Sequence, residues 1–106
     1  MRYYRRLYWG EDLKKKKEKI IRRLNTGKLQ RDIYVLVLPE HGSNQLEIYN
    51  AALFLQPDFP NDVFVVGIVR GYEAALELVE EIAEKVYEQT GAADIRTYLL
   101  EREQEG

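Results

Sequence analysis

The stretch "DIYVLVLPEHGSNQLEIYNAALFLQPDFPNDVFVVGIV", Asp32 to Val69, decides how this chain is read. Its two ends are apolar runs rich in β-branched residues. "DIYVLVLP" stops at Pro39, and "VFVVGIV" spans Val63 to Val69. Strands covered on both faces have this composition and usually belong to parallel sheets. What lies between them therefore sets the topology. Asn44 with Glu47 three residues on resembles a capping box, and Ser43 offers a second cap. Leu46, Ile48, Tyr49, Ala52, Leu53 and Leu55 then follow at near-helical spacing, and Pro57 ends the run before the loop "QPDFPND". The expectation is a crossover helix joining two parallel strands.

Outward from this centre the pattern repeats. "YEAALELVEEIAEKVYEQTG" places Tyr72, Ala75, Leu76, Val79, Ile82, Ala83 and Val86 three and four apart, and Gly91 supplies a left-handed C-cap. "DIRTYLL", Asp94 to Leu100, reads as a last strand. Upstream, Glu11 to Thr26 has a narrow apolar stripe of Leu13, Ile20, Ile21 and Leu24, with Gly27 as its cap. The opening "MRYYRRLYWG" alternates Tyr3, Arg5, Leu7 and Trp9 against Tyr4, Arg6 and Tyr8, which suits an edge strand or a flexible arm. The expected fold is an α/β domain of β-α-β-α-β-α-β order. It has about four mostly parallel strands and three helices on the sheet faces. Asp32–Leu38 and Val63–Val69 are central, and the N- and C-terminal strands form the edges. Gly67, inside the more apolar strand, predicts a close approach by another group.

At 106 residues, one domain is expected, with a basic N-terminal segment over 1–31 and a frayed acidic tail over 101–106. Hydrophobic residues make up 45% and charged residues 32%, a globular composition. No cysteine is present, so disulfides and thiolate chemistry are excluded. No apolar run nears the roughly 18 residues of a membrane span, and the basic N-terminus has no apolar stretch behind it. A cytoplasmic protein is expected.

The net charge of −2 conceals a division. Residues 1–31 hold twelve Lys/Arg against three Asp/Glu, and residues 32–106 hold four against fifteen. The basic part either meets an anionic partner or is neutralised by the acidic helix, within one chain or across a homodimer. Aromatic residues at the N-terminus need burial, and an exposed edge strand invites a second copy, which also favours a homodimer.

In a parallel sheet, ligands bind beyond the carboxyl ends of the strands. That rule selects His41, Ser43, Asn44, Arg70 and Tyr72 as the lining of one crevice for a small anion, aided by two helix N-termini. Helix capping by Ser43 and Asn44, an exposed turn at His41 and a salt bridge from Arg70 to Glu73 or Glu40 explain the same residues without a ligand. Arg2, Arg5, Arg6 and Lys14, Lys15, Lys16 and Lys17 form the alternative site, a surface on which cations meet nucleic-acid phosphates. Motifs for catalysis are missing. Gly67-x-x-x-Gly71 is neither a dinucleotide fingerprint nor a phosphate loop, and Ser43 lacks the glycine-flanked nucleophile elbow. One histidine without cysteine makes no zinc site. The expectation is a non-enzymatic binding or interaction module with no cofactor and no metal; nucleic-acid binding is the alternative and a small enzyme the third reading.

Overall fold

Central β-rich runs do form the middle of the sheet, but they run in opposite directions. The computed structural model describes residues 1–40, 46–60 and 62–105. In chain order the elements are β1 (Arg2–Trp9), a 3-10 turn (Glu11–Leu13), α1 (Lys17–Thr26), β2 (Ile33–Leu38) and β3 (Glu47–Asn50). A second 3-10 turn (Ala51–Leu55), β4 (Phe64–Arg70), α2 (Tyr72–Thr90) and α3 (Ile95–Gln104) complete them. Four strands make one sheet in the order β1-β4-β2-β3, and only β1 with β4 is parallel. The mostly parallel β-α-β-α-β-α-β arrangement is thus corrected to a mixed sheet with three helices.

Two segments carry the difference. Between Glu47 and Asn50 the chain pairs antiparallel with β2, Tyr49 opposite Val35 and Ile48 opposite Leu36. Ile48 packs with the core on one sheet face and Tyr49 with the core on the other, which only a strand allows for adjacent residues. The apolar spacing that imitates a helix is a strand joined to a short turn. Its cap is Asn50, whose side chain accepts from the Ala52 N–H at 2.9 Å. Glu47, the expected capping-box partner, instead accepts from the Tyr49 hydroxyl at 2.8 Å. Ser43 and Asn44 lie outside the described residues.

The last segment is a helix, not a strand. Ile95, Tyr98 and Leu99 are buried at 3%, 7% and 0% exposure, a spacing of three and four. Asp94 caps it, accepting from the Thr97 N–H at 3.1 Å and from the Thr97 hydroxyl at 2.6 Å. The second edge of the sheet is consequently β3. Beyond Leu100, α3 continues to Gln104, and the Glu103 carboxylate accepts the Arg5 N–H of β1 at 2.8 Å.

The Thr97 hydroxyl, and next its backbone N–H, hold the Asp94 carboxyl below the usual 3.8. A carboxylate with a depressed folded-state pKa stabilises the fold above its unfolded value and loses that contribution as pH falls through the folded one. Asp94→Ala is therefore expected to be less stable than wild type at neutral pH and to converge with it as pH drops below 3.8. Urea unfolding at several pH values, followed by circular dichroism, measures this. An equal gap at neutral and strongly acid pH would contradict the ionic cap.

Side-chain alternation along β2 divides the interior. Leu36 and Leu38 pack with α2 and α3, whereas Ile33, Val35 and Val37 pack with α1 and both 3-10 turns. The basic helix α1 and the acidic helix α2 therefore lie on opposite faces of the sheet. They do not neutralise each other side by side within the chain. A bulge sits in β4, where Val66 is extra between the pairs Leu36–Gly67 and Val37–Val65. A Cβ on Gly67 would lie 3.0 Å from the Leu78 Cδ2 atom of α2, so the expected close approach is by a side chain.

The N-terminal aromatics find their cover inside the same chain. Tyr4 is 2% exposed, Tyr8 packs beside it, and Tyr3, Leu7 and Trp9 pack on the α1 side. Among the described residues no helix is long and apolar enough to cross a membrane.

Candidate functional site

Antiparallel pairing separates the two segments expected to share a crevice. Arg70, the last residue of β4, is opposite Ile33, the first of β2, while Leu38 at the other end of β2 is opposite Phe64. Pro39 and Glu40 thus leave the sheet at the end away from Arg70. Arg70 and Tyr72 also part company across the sheet. Tyr72 packs its ring edge-on against Tyr34 at 5.7 Å, on the α2 side. His41, Ser43 and Asn44 lie outside the described residues.

Arg70 is held on the α1 side. Its Nε atom is 3.2 Å from Asp12 Oδ2, so its acidic partner comes from the turn after β1 and not from Glu73 or Glu40. Both side chains are substantially exposed, at 43% and 60%, and such pairs contribute little to stability. The significance of Arg70 lies in its other neighbours. It lines a cavity of about 190 Å³ together with Lys16, Lys19, Arg23 and Arg31, over a floor that includes Ile20 and Ile33.

Local structure explains the convergence. Lys16, Lys19 and Arg23 are spaced by three and four, which puts them on one side of α1. Gly27, at φ 69°, ends that helix in the left-handed region and returns the chain toward the sheet. Gln30, only 8% exposed, donates from Nε2 to the Ile20 carbonyl at 3.2 Å and fixes the returning segment to α1. Asp32 adopts φ 58°, the one left-handed non-glycine residue among those described, and its carbonyl accepts the Gly71 N–H at 2.7 Å. That bond ties the start of β2 to the end of β4, so Arg31 and Arg70 arrive side by side.

Electrostatically the cavity is one-sided. Among the described residues five cationic side chains line it and no carboxylate does, with Asp12 reaching Arg70 from outside its lining. Among the described residues, Lys16, Lys19, Arg23 and Arg31 form no ion pair. Like charges held together repel, and a bound anion relieves that repulsion. Guanidinium forks donate bidentately to phosphate or carboxylate oxygens, and the lysines add point charges. The basic surface continues along α1. Lys14–Lys17, Lys19 and Arg22, with Glu18 among them, line an open cavity of about 510 Å³, and Arg22, Arg23, Thr26 and Lys28 line another of about 370 Å³.

The alternative basic set divides. Lys14, Lys15, Lys16 and Lys17 belong to this surface, with Lys17 also over the Trp9 ring at 5.7 Å. Arg2 and Arg6 lie toward α3, and Arg5 is tied to it through its backbone N–H. Arg6 donates to the Arg102 carbonyl and is 3.9 Å from Glu105. The Arg2 guanidinium sits over the Phe64 ring at 5.5 Å.

Arg2 also lines the larger cavity, about 570 Å³, at the opposite end of the sheet. Leu38, Phe64 and Leu100 supply its apolar lining, and Arg96 there donates to the Pro39 and Glu40 carbonyls. Among the described residues its two arginines are matched in number by Glu40 and Glu103, where the α1 cavity has five cations and no acid. Among the described residues no group of three His, Cys, Asp or Glu side chains is arranged to hold a metal ion.

Lys19, Arg23, Arg31 and Gln30 are the residues that sequence reasoning did not single out. The three-and-four spacing of Lys16, Lys19 and Arg23 was an available signal, obscured by the neighbouring lysine run. Arg31 carried none, because its place beside Arg70 depends on antiparallel pairing. No protein-family model, no curated protein and no solved structure matches this chain.

Proposed function

We propose that this chain is a non-enzymatic module that binds a phosphate-bearing anion on the face built by α1 and the end of β4. The observation that carries this reading is the five-cation lining of the α1 cavity, from Lys16, Lys19, Arg23, Arg31 and Arg70. The cavity, at about 190 Å³, has room for a phosphoryl group and its nearest atoms. Its polar lining side chains are cations and one amide, which bind and orient an anion but supply no nucleophile with an adjacent base.

A second reading, single-stranded nucleic acid, is favoured by the extension of the basic surface along Lys14–Lys17, Arg22 and Lys28. A strand would place successive phosphates along the helix, and affinity would then rise with strand length and fall steeply with salt.

Titration calorimetry at low salt with tripolyphosphate, and separately with short oligonucleotides of increasing length, tests both. Wild type is expected to bind tripolyphosphate. Arg70→Ala is expected to weaken that binding roughly tenfold, the loss of one charge-assisted contact. Asp12→Asn is expected to strengthen it, since it removes the carboxylate that competes for Arg70. Absence of binding by wild type at low salt would end the proposal, and length-independent affinity would end the nucleic-acid reading.

A further inference from the structure

Helix α2 has a surface that its own chain leaves unmatched. At 100° per residue, its six glutamates, Glu73, Glu77, Glu80, Glu81, Glu84 and Glu88, all fall within a sector of about 100°. Several stand four apart, among them Glu73, Glu77 and Glu81, and like charges at that spacing oppose helix formation. Lys85, the one cation of the helix, lies beyond the sector. Among the described residues none of the six forms an ion pair.

An apolar strip adjoins this acidic sector. Tyr72, Leu76 and Tyr87 are 53%, 43% and 63% exposed, and they line up between the glutamates and the buried row of Ala75, Ile82 and Val86. Tyr72 also packs edge-on against Tyr34 of β2, but covering the sheet does not call for large side chains at Leu76 and Tyr87. Acid beside exposed aromatic and aliphatic surface is the composition of a docking face.

The complementary charge lies on the opposite face of the sheet, in Lys15, Lys19, Arg22 and Arg23 of the α1 surface. Within one molecule the sheet keeps the two faces apart. Between two molecules nothing does.

We infer that the α2 face of one copy docks the α1 face of a second copy, so that the chain self-associates head to tail. The contact joins two different patches, so each added copy leaves one patch of each kind free. Such an interface closes into a ring or extends into a filament instead of stopping at a two-fold dimer. Ion pairing across it is screened by salt.

Sedimentation velocity of the whole chain, at about 10 mM and about 1 M salt, tests this. At low salt the mean mass of wild type is expected to rise with concentration past that of a dimer, and at high salt to fall to that of a monomer. Glu80→Lys with Glu84→Lys reverses the acidic face, and Lys15→Glu with Arg22→Glu reverses the basic face outside the α1 cavity. Either variant alone is expected to stay monomeric at low salt. An equimolar mixture of the two is expected to associate again, because each retains the face the other lost and recovery also proves both are folded. Monomeric wild type at low salt overturns the inference. So does undiminished association of either variant alone, or a mixture that stays monomeric. Tripolyphosphate binding by the Glu80→Lys/Glu84→Lys variant is independent of the result, which separates this inference from the anion site.

Discussion

Leu99→Ala is expected to destabilise the protein by about 2–5 kcal/mol, the range for truncating a buried leucine, and to lower the melting temperature by roughly 10 °C or more. Leu99 is fully buried, in the cluster shared by the sheet, α2 and α3. Its neighbour Tyr98 is also buried, and two adjacent buried side chains on one core are what a helix provides and a strand denies. Leu100, 39% exposed, serves as the control, and Leu100→Ala is expected to cost under about 1 kcal/mol. Equilibrium urea unfolding measures both. Equal losses at the two positions would mean that Ile95–Gln104 does not pack as a helix.

The second large effect concerns the anion site. Lys19→Glu combined with Arg23→Glu replaces two cations of the α1 cavity by carboxylates. Tripolyphosphate affinity is expected to fall by roughly a hundredfold or more, given about 1.5–3 kcal/mol for each charge-assisted contact. Both residues lie on the surface of α1, outside the set of buried core residues. The change in unfolding free energy is therefore expected to stay within about 1 kcal/mol. Calorimetric titration beside urea unfolding separates lost binding from lost fold. Retained affinity in a folded variant would remove α1 from the site.

Much of the architecture is legible in the sequence for identifiable reasons. Two uninterrupted apolar runs could only be buried, and they are the two central strands. Gly27 and Gly91 end α1 and α2 at φ 69° and 73°, where a glycine carries no steric penalty. Alternation of Tyr4 and Tyr8 against Tyr3, Leu7 and Trp9 divides β1 between the two cores. Short segments are where periodicity fails. A four-residue strand followed by a five-residue turn, Glu47–Leu55, gives the same apolar spacing as a helix of that length. At Ile95–Gln104 the β-favouring residues Ile95, Thr97 and Tyr98 mask a helix whose decisive signal is the single cap at Asp94.

Strand direction is not a local property. Reading Leu46 to Leu55 as a helix makes β2 and β4 parallel, whereas strand β3 at Glu47–Asn50 lets them run antiparallel, and local propensity barely separates the two. The sequence by itself determined which residues must be buried, where α1 and α2 stop, and that positive charge gathers before Asp32 and negative charge after it. Only the tertiary structure decided which of those charges meet. Antiparallel pairing of β2 with β4 brings Arg70 back to Arg31 and α1, and packing on opposite sheet faces keeps the glutamates of α2 away from both. A cation's neighbours are set by how distant segments pair, and no spacing along the chain records that.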